Sequence, residues 1–215
     1  MSFKNFIFDF DGTIAHTAPE VLKCIERAFA EAGCPLDNSE VKDTLIGPPL
    51  AEIVNGLRPN ITESCQQEII RNFRRLYDYE SSGLTKLYPF IYEALEAIHS
   101  RGCLLFIATN KPVIPLRRLM QELKIEIFDD LYTADRNGKR MTKKEMLQCL
   151  ISEHSLIKAE TVMIGDALSD INAGLHNGIA SAAAMWGYAD SEEKKQMSAA
   201  AGHILESGKD IISLL

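Results

Sequence analysis

Apolar and polar positions along this chain follow two rhythms. Three short runs are apolar throughout and close on a polar residue: FIFD at Asp9, LLFIAT at Thr109 and TVMIGD at Asp166. Continuous apolar runs of this length, set between stretches of helical periodicity, predict buried strands of a parallel sheet. In open sheets of that kind ligands collect beyond the carboxyl ends of the strands, so the three polar termini are expected to face one crevice.

After the first run the pattern stays helical for about seventy residues, too long for an ordinary crossover, and this predicts an inserted domain. Its first helix opens with Thr17-Ala18-Pro19-Glu20, where Thr17 can cap, Pro19 suits the first turn and Glu20 occupies the reciprocal capping-box position. Val21, Leu22, Ile25, Ala28, Phe29 and Ala32 recur at helical spacing, and Gly33 supplies a stop. Further helices are expected over 38–46, halted by Gly47-Pro48-Pro49, over 50–57, and from a Thr62 or Ser64 cap through Ile69, Ile70, Phe73, Leu76 and Tyr77. Ser81-Ser82-Gly83 reads as the hinge leading back.

From Tyr88 onward helix and strand alternate, with helices through Ala94, Leu95 and Ile98 and over 112–123, 142–153 and 169–177. Short strands are expected at 131–134 and 181–185, and 190–215 reads as weakly broken helix without chemistry. The fold class is therefore α/β: a doubly wound, Rossmann-like parallel sheet core (1–14 and 86–215) with an inserted all-helical cap domain (15–85).

Composition narrows the function. With 215 residues and 46% apolar content the chain can bury one good core and a smaller accessory domain. Its net charge of -7 argues against a nucleic-acid or anionic-membrane partner, which would call for a concentrated positive field. No apolar stretch approaches the roughly 20 residues of a membrane span, and the first residues lack the zones of a secretory signal. A cytoplasmic location, as a monomer or weak homodimer, is the expectation. Five cysteines form no CxxC pair and leave one over, so reduced, largely buried thiols are expected and the Asn60-Ile61-Thr62 sequon should stay unused.

Asp9 and Asp11 are two apart, so on an extended chain both carboxylates project to one side, and Gly12 then permits a sharp turn. At about 4 Å and an effective dielectric near 20, their repulsion is roughly 4 kcal/mol. The pair must share a proton, split its pKa values or bind a cation, and Mg²⁺, hard and oxygen-seeking, resolves the conflict best. Asp166 is a natural further ligand, and Asp170 would lie one helical turn deeper, in a supporting position. Turn and cap chemistry could account for Asp11, Thr109 or Asp170 singly. It does not account for a carboxylate, a Thr-Asn-Lys and a Gly-Asp closing three successive apolar runs.

Asp9-Phe10-Asp11-Gly12-Thr13, Thr109-Asn110, a lysine near 143, and Gly165-Asp166 with Asp170 resemble the four ordered motifs of the haloacid dehalogenase-like superfamily, in its phosphoglycolate phosphatase-like branch. The resemblance spans nearly the whole chain, including the helical insertion and Trp186-Gly187-Tyr188. It implies that Asp9 attacks the substrate phosphorus to form an aspartyl phosphate, while Asp11 protonates the leaving oxygen and then activates water. It implies Mg²⁺ held by Asp9, the backbone carbonyl of Asp11 and Asp166, and a phosphoryl clamp of Thr109, the Asn110 amide and a lysine. Lys143 is chosen for that lysine, with Lys144 and Lys139 as alternatives, because the proline that often follows the motif lysine is absent from Thr142-Lys143-Lys144-Glu145. The aspartate at 11 favours phosphate-ester hydrolysis over carbon-halogen cleavage, since dehalogenases of the superfamily typically lack it.

The expected partner is accordingly a small phosphate ester, and a mobile cap is expected to exclude water. The five histidines show no metal-ligand spacing, and His16 is near enough to the crevice to touch a substrate. Arg71, Arg74 and Arg75 read as a solvated cap face, one of which could contact an anionic substrate, and Gly47-Pro48 as a helix stop or a loop approaching the site. The rival readings are a phosphomutase of the β-phosphoglucomutase type, a nucleotidase or pyrophosphatase, and a non-enzymatic phosphometabolite-binding protein.

Overall fold

The apolar run ahead of Asp9 becomes the central strand of a six-stranded sheet in a computed structural model of the chain, described for all residues except 1, 38, 43, 44, 47–49, 81, 137 and 139. In chain order the elements are β1 (Asn5–Phe8), β2 (Ala15–His16), α1 (Ala18–Glu31), α2 (Leu50–Leu57), α3 (Glu63–Tyr79), β3 (Lys86–Leu87), α4 (Ile91–Ser100) and β4 (Leu104–Thr109). They continue with α5 (Val113–Leu123), β5 (Asp130–Thr133), α6 (Lys143–Glu153), β6 (Thr161–Gly165), α7 (Leu168–Asn177), β7 (Ala180–Ala184), α8 (Ser191–Ala200) and β8 (His203–Leu205). The chain divides into two compact units, Met1–His16 with Leu87–Leu215, and Thr17–Lys86.

In the larger unit the strand order is β5-β4-β1-β6-β7-β8, every pair parallel. Chain order reverses at β1, the kind of switch point beyond which α/β sheets hold ligands. Phe8 is level with Ile107 of β4 and Ile164 of β6, so Asp9, Thr109 and Asp166 emerge side by side at the carboxyl edge. Phe6, Ile7, Phe8 and the run from Leu105 to Ala108 are wholly buried, which is why these strands are continuously apolar. Ile7, Phe106, Ala108 and Met163 pack on Met146, Leu147 and Leu150 of α6 and Ala173 of α7. At about 1.5–3 kcal/mol for each large side chain, this burial anchors the two helices that carry Lys143 and Asp170.

One expectation for this unit changes in detail. The segment 190–215 is not helix throughout: α8 is followed by edge strand β8, and then by a 3-10 segment, Gly208–Leu214. His203–Leu205 is too short to show a period, and it becomes a strand only because β7 offers a free edge.

The smaller unit carries α1, α2 and α3. Ile25 and Phe29 of α1 and Ile69, Phe73 and Leu76 of α3 are buried. Thr62 caps α3 as expected, its hydroxyl accepting the Cys65 N–H at 3.3 Å. Thr17 precedes α1 without a side-chain cap bond, and Glu20 forms no capping box. Glu20 is instead fully buried, where its carboxylate accepts from the Thr85 hydroxyl at 2.5 Å and the Thr85 N–H at 3.3 Å. The helix expected over 38–46 is absent from the described residues 39–42. Glu40 there closes a turn onto the Asp37 N–H at 2.8 Å and takes two bonds from Arg58, which outweigh helical propensity. Residues 47–49, Ser81 of the expected hinge and Lys139 lie outside the described residues. Arg75 forms ion pairs of 2.6 Å with Glu31 and with Glu80, and Arg74 lies 3.9 Å from Asp78, so these two arginines are paired. Among the described residues no helix is long and apolar enough to cross a membrane.

Candidate active site

The loop after β1 folds back tightly. The Phe10 carbonyl accepts the N–H groups of Ile14 and Ala15 at 3.0 Å each, and the Gly12 N–H donates to Ala15 at 3.0 Å. Gly12 sits at φ 81°, a left-handed conformation open to glycine, and a Cβ there would collide with the Asp166 carboxylate. This turn sends Asp9 and Asp11 to separate cations. Asp9 Oδ1 lies 2.9 Å from Lys143 Nζ, and Asp11 Oδ1 lies 2.9 Å from Lys111 Nζ.

Lys143 is the first residue of α6, whose start is fixed by a capping box. The Thr142 hydroxyl accepts the Glu145 N–H at 3.3 Å, and the Glu145 carboxylate accepts the Thr142 N–H at 2.7 Å. The side chain runs inward, 5% exposed, and its ammonium also lies 2.7 Å from Asp170 Oδ1. Lys144, one residue on, is exposed. Burial works against the charged ammonium of Lys143, but Asp170 and Asp9 outweigh it and push its pKa up.

Asp166 is held at both oxygens. The Thr13 hydroxyl donates to Oδ1 at 2.8 Å, and the Tyr188 N–H donates to Oδ2 at 2.8 Å. Gly187 leaves room for it, since a Cβ at that position would also strike Asp166. Trp186 Nε1 donates to the Thr13 carbonyl at 3.1 Å, tying this segment to the loop after β1. Asp170, fully buried in the first turn of α7, accepts the Ala167 N–H at 3.1 Å.

Oxygens of Asp9, Asp166 and Asp170 all lie within 4.8 Å of one another. Asp11 is outside this set, its carboxylate turned to Lys111. Burial, reinforced by the charges of Asp9 and Asp170, pushes the Asp166 carboxyl up to about 8 against the pull of Tyr188 and Thr13. Burial likewise raises Asp170, to about 6, with Lys143 opposing and Asp9 adding to the shift. One ammonium among three carboxylates leaves surplus negative charge in a dry place. An all-oxygen donor set with that surplus fits a hard divalent cation.

Thr109 ends β4, buried, with its hydroxyl accepting the Lys111 N–H at 3.2 Å, while Asn110 is exposed at the mouth. His16 Nδ1 lies 3.1 Å from the Tyr188 hydroxyl and 3.4 Å from that of Tyr88, so these rings and Trp186 wall the loop after β1. Sequence reasoning missed three contributors: Lys111, Thr13 and the Tyr188 N–H. The signal for Lys111 was a lysine two residues beyond the end of an apolar run, in Thr109-Asn110-Lys111.

The chain is 25% identical over 194 residues to a 5'-nucleotidase of Pseudomonas aeruginosa, covering 90% of this chain and 87% of that protein. It is 27% identical over 197 residues to a phosphoglycolate phosphatase of Aliivibrio fischeri, covering 88% and 87%. A solved haloacid dehalogenase-like hydrolase from Streptococcus pneumoniae shares the fold with a TM-score of 0.83 at 21% identity, over 98% of this chain and 97% of that one. The family model for haloacid dehalogenase-like hydrolases matches residues 6–184, and the chain belongs to that family.

Proposed function

We propose that this protein is a Mg²⁺-dependent phosphatase that hydrolyses a small phosphomonoester through an aspartyl phosphate on Asp9. The observation that carries the reading is the meeting of Asp9, Asp166 and Asp170 with Lys143, and of Asp11 with Lys111, at the switch point of the sheet. Lys143 beside the nucleophile and Lys111 beside Asp11 suit an incoming dianionic phosphoryl group, and a nucleophile and an acid on separate cations suit two distinct tasks.

In this reading an Asp9 carboxylate oxygen forms the bond to phosphorus as the ester oxygen leaves. Asp11 gives that oxygen its proton, then takes one from the water that attacks the aspartyl phosphate, so that inorganic phosphate departs and both carboxyl groups return to their starting state. Lys143, Thr109 and the Asn110 amide bind the phosphoryl oxygens. Asp9, Asp166 and Asp170 are the side chains that would hold Mg²⁺, which when bound supplies charge shielding between nucleophile and phosphate.

Phosphoglycolate and 5'-nucleotides are the first substrates to try, because phosphoglycolate phosphatases and a 5'-nucleotidase are among the relatives. The test is phosphate release from an aryl phosphate with Mg²⁺ and with chelator, beside Asp9→Asn and Asp11→Asn, followed by a panel of phosphorylated metabolites. Wild-type turnover should require the metal, and Asp9→Asn should lose at least about 10³-fold. Undiminished turnover by Asp9→Asn would overturn the assignment.

A further inference from the structure

All five cysteines carry thiols, and two of them lie together in the smaller unit. Cys34 Sγ is 3.9 Å from Cys65 Sγ. Their backbones are pinned independently of each other. The Cys34 N–H donates to Phe29 at 3.0 Å, just past the end of α1, and the Cys65 N–H donates to the Thr62 hydroxyl at 3.3 Å in the first turn of α3. Helices α1 and α3 pack along a shared apolar face, so the two sulfurs are held as neighbours by the core. Both residues are half-buried, open enough for a small reagent. A disulfide is about 2.05 Å long, so side-chain rotation has to bring the sulfurs about 2 Å closer.

We propose that Cys34 and Cys65 form a redox-active dithiol that small disulfide oxidants of the glutathione type close into an intramolecular disulfide and dithiol reductants reopen. The Cys65 thiolate attacks one sulfur of the oxidant. The oxidant's S–S bond breaks, one thiolate departs and is protonated, and a mixed disulfide remains on Cys65. Cys34 then yields its proton to water and attacks the Cys65 sulfur, expelling the second thiolate. Two protein thiols are oxidised and one disulfide is reduced to two thiols, which balances the exchange.

The order of attack follows from the surroundings. Burial and the neighbouring Cys65 push the Cys34 thiol up, with Arg58 opposing, which suits Cys34 to the second step, against a sulfur already held beside it. Arg58 also donates to the Pro35 carbonyl at 3.1 Å, holding the segment that carries Cys34 in reach for the second step. Cys103 and Cys149 have other surroundings. Cys103 points at the Phe3 carbonyl at 3.8 Å, and Cys149, a residue of α6, packs against the core. The closed form would tie the end of α1 to the start of α3 and convert 35–64 into a covalent loop, which restricts the unfolded chain.

The full-length protein treated with oxidised glutathione should lose two hydrogens by intact mass, retain no glutathione, and give one linked peptide pair joining Cys34 to Cys65. Its melting temperature should rise, and dithiothreitol should reverse both changes. Cys34→Ser should instead hold one glutathione on Cys65, and Cys149→Ser should behave as wild type. A stable glutathione adduct on the wild-type protein, no reaction at either residue, or a linked pair through Cys103 or Cys149 would each overturn the proposal. The readout is mass, so it stands apart from any outcome of the phosphatase assays.

Discussion

Lys111 Nζ lies 2.9 Å from Asp11 Oδ1, and the lysine side chain is 3% exposed while that of Asp11 keeps 24%. The cation is thus fixed in a dry position and the carboxyl group retains a route to solvent, which suits a residue that must exchange protons. Lysine here orients Asp11 and adds positive charge near the departing oxygen. Lys111→Met should lower kcat by about 10²-fold, with a smaller change in KM. The loss should be larger for alkyl phosphates than for aryl phosphates, whose leaving groups scarcely call for protonation. Equal losses on both substrate classes would show that Lys111 does not work through Asp11.

Lys143 bridges the fully buried Asp170 and the half-buried Asp9, so removing it leaves two negative charges without their partner. Breaking a buried pair in this way costs about 3–5 kcal/mol. Lys143→Met should therefore melt well below wild type in chelator. Added Mg²⁺ should recover part of the deficit, because the same carboxylates gain a cation. Thermal melts of both proteins with and without the metal test this; a variant as stable as wild type in chelator would contradict the ion-pair account.

Burial and neighbouring charge push Asp166 up to about 8, and this fixes the sign of a pH effect. An unfolded aspartate titrates near 3.9, so between that value and about 8 the native metal-free protein binds the extra proton. Stability falls with rising pH wherever the native state holds more protons than the unfolded state. The metal-free protein should lose stability between about pH 5 and about pH 8, and saturating Mg²⁺ should flatten the slope because metal binding requires the ionised form. Urea unfolding across that range, in chelator and in Mg²⁺, gives the comparison. A rise in metal-free stability with pH would refute the assignment.

The strands and the acidic cluster were legible in the sequence because each depends on local pattern: a buried parallel strand is apolar throughout, and Asp9, Thr109 and Asp166 each sit where such a run stops. What was hidden depends on partners far along the chain. Glu20 stands where a capping-box glutamate would, yet its carboxylate is claimed by Thr85, and helix periodicity contains no sign of that. Lys111 pairs with Asp11 across the switch point, and no spacing rule connects them. Thr13 looked like the tail of a turn motif, but its hydroxyl is spent on Asp166. β8 escaped because a strand as short as His203–Leu205 owes its existence to the edge of β7 and not to its own composition.

Thr13 offers the sharpest separation of metal binding from folding. Its hydroxyl and the Tyr188 N–H each hold one Asp166 oxygen at 2.8 Å, so the carboxylate is oriented before any cation arrives. Supporting hydrogen bonds of this kind are worth about 10–100-fold in metal affinity. Thr13→Val keeps the side-chain shape and deletes one donor, so Mg²⁺ should bind about 10-fold or more weakly, while Thr13→Ser should stay near wild type. Trp186, the single tryptophan, donates to the Thr13 carbonyl and so reports on this loop by its own fluorescence. A Mg²⁺ titration followed by that signal and by calorimetry should rank wild type and Thr13→Ser above Thr13→Val. If all three bind Mg²⁺ alike, Thr13 is only packing, and Asp166 is oriented by the backbone alone.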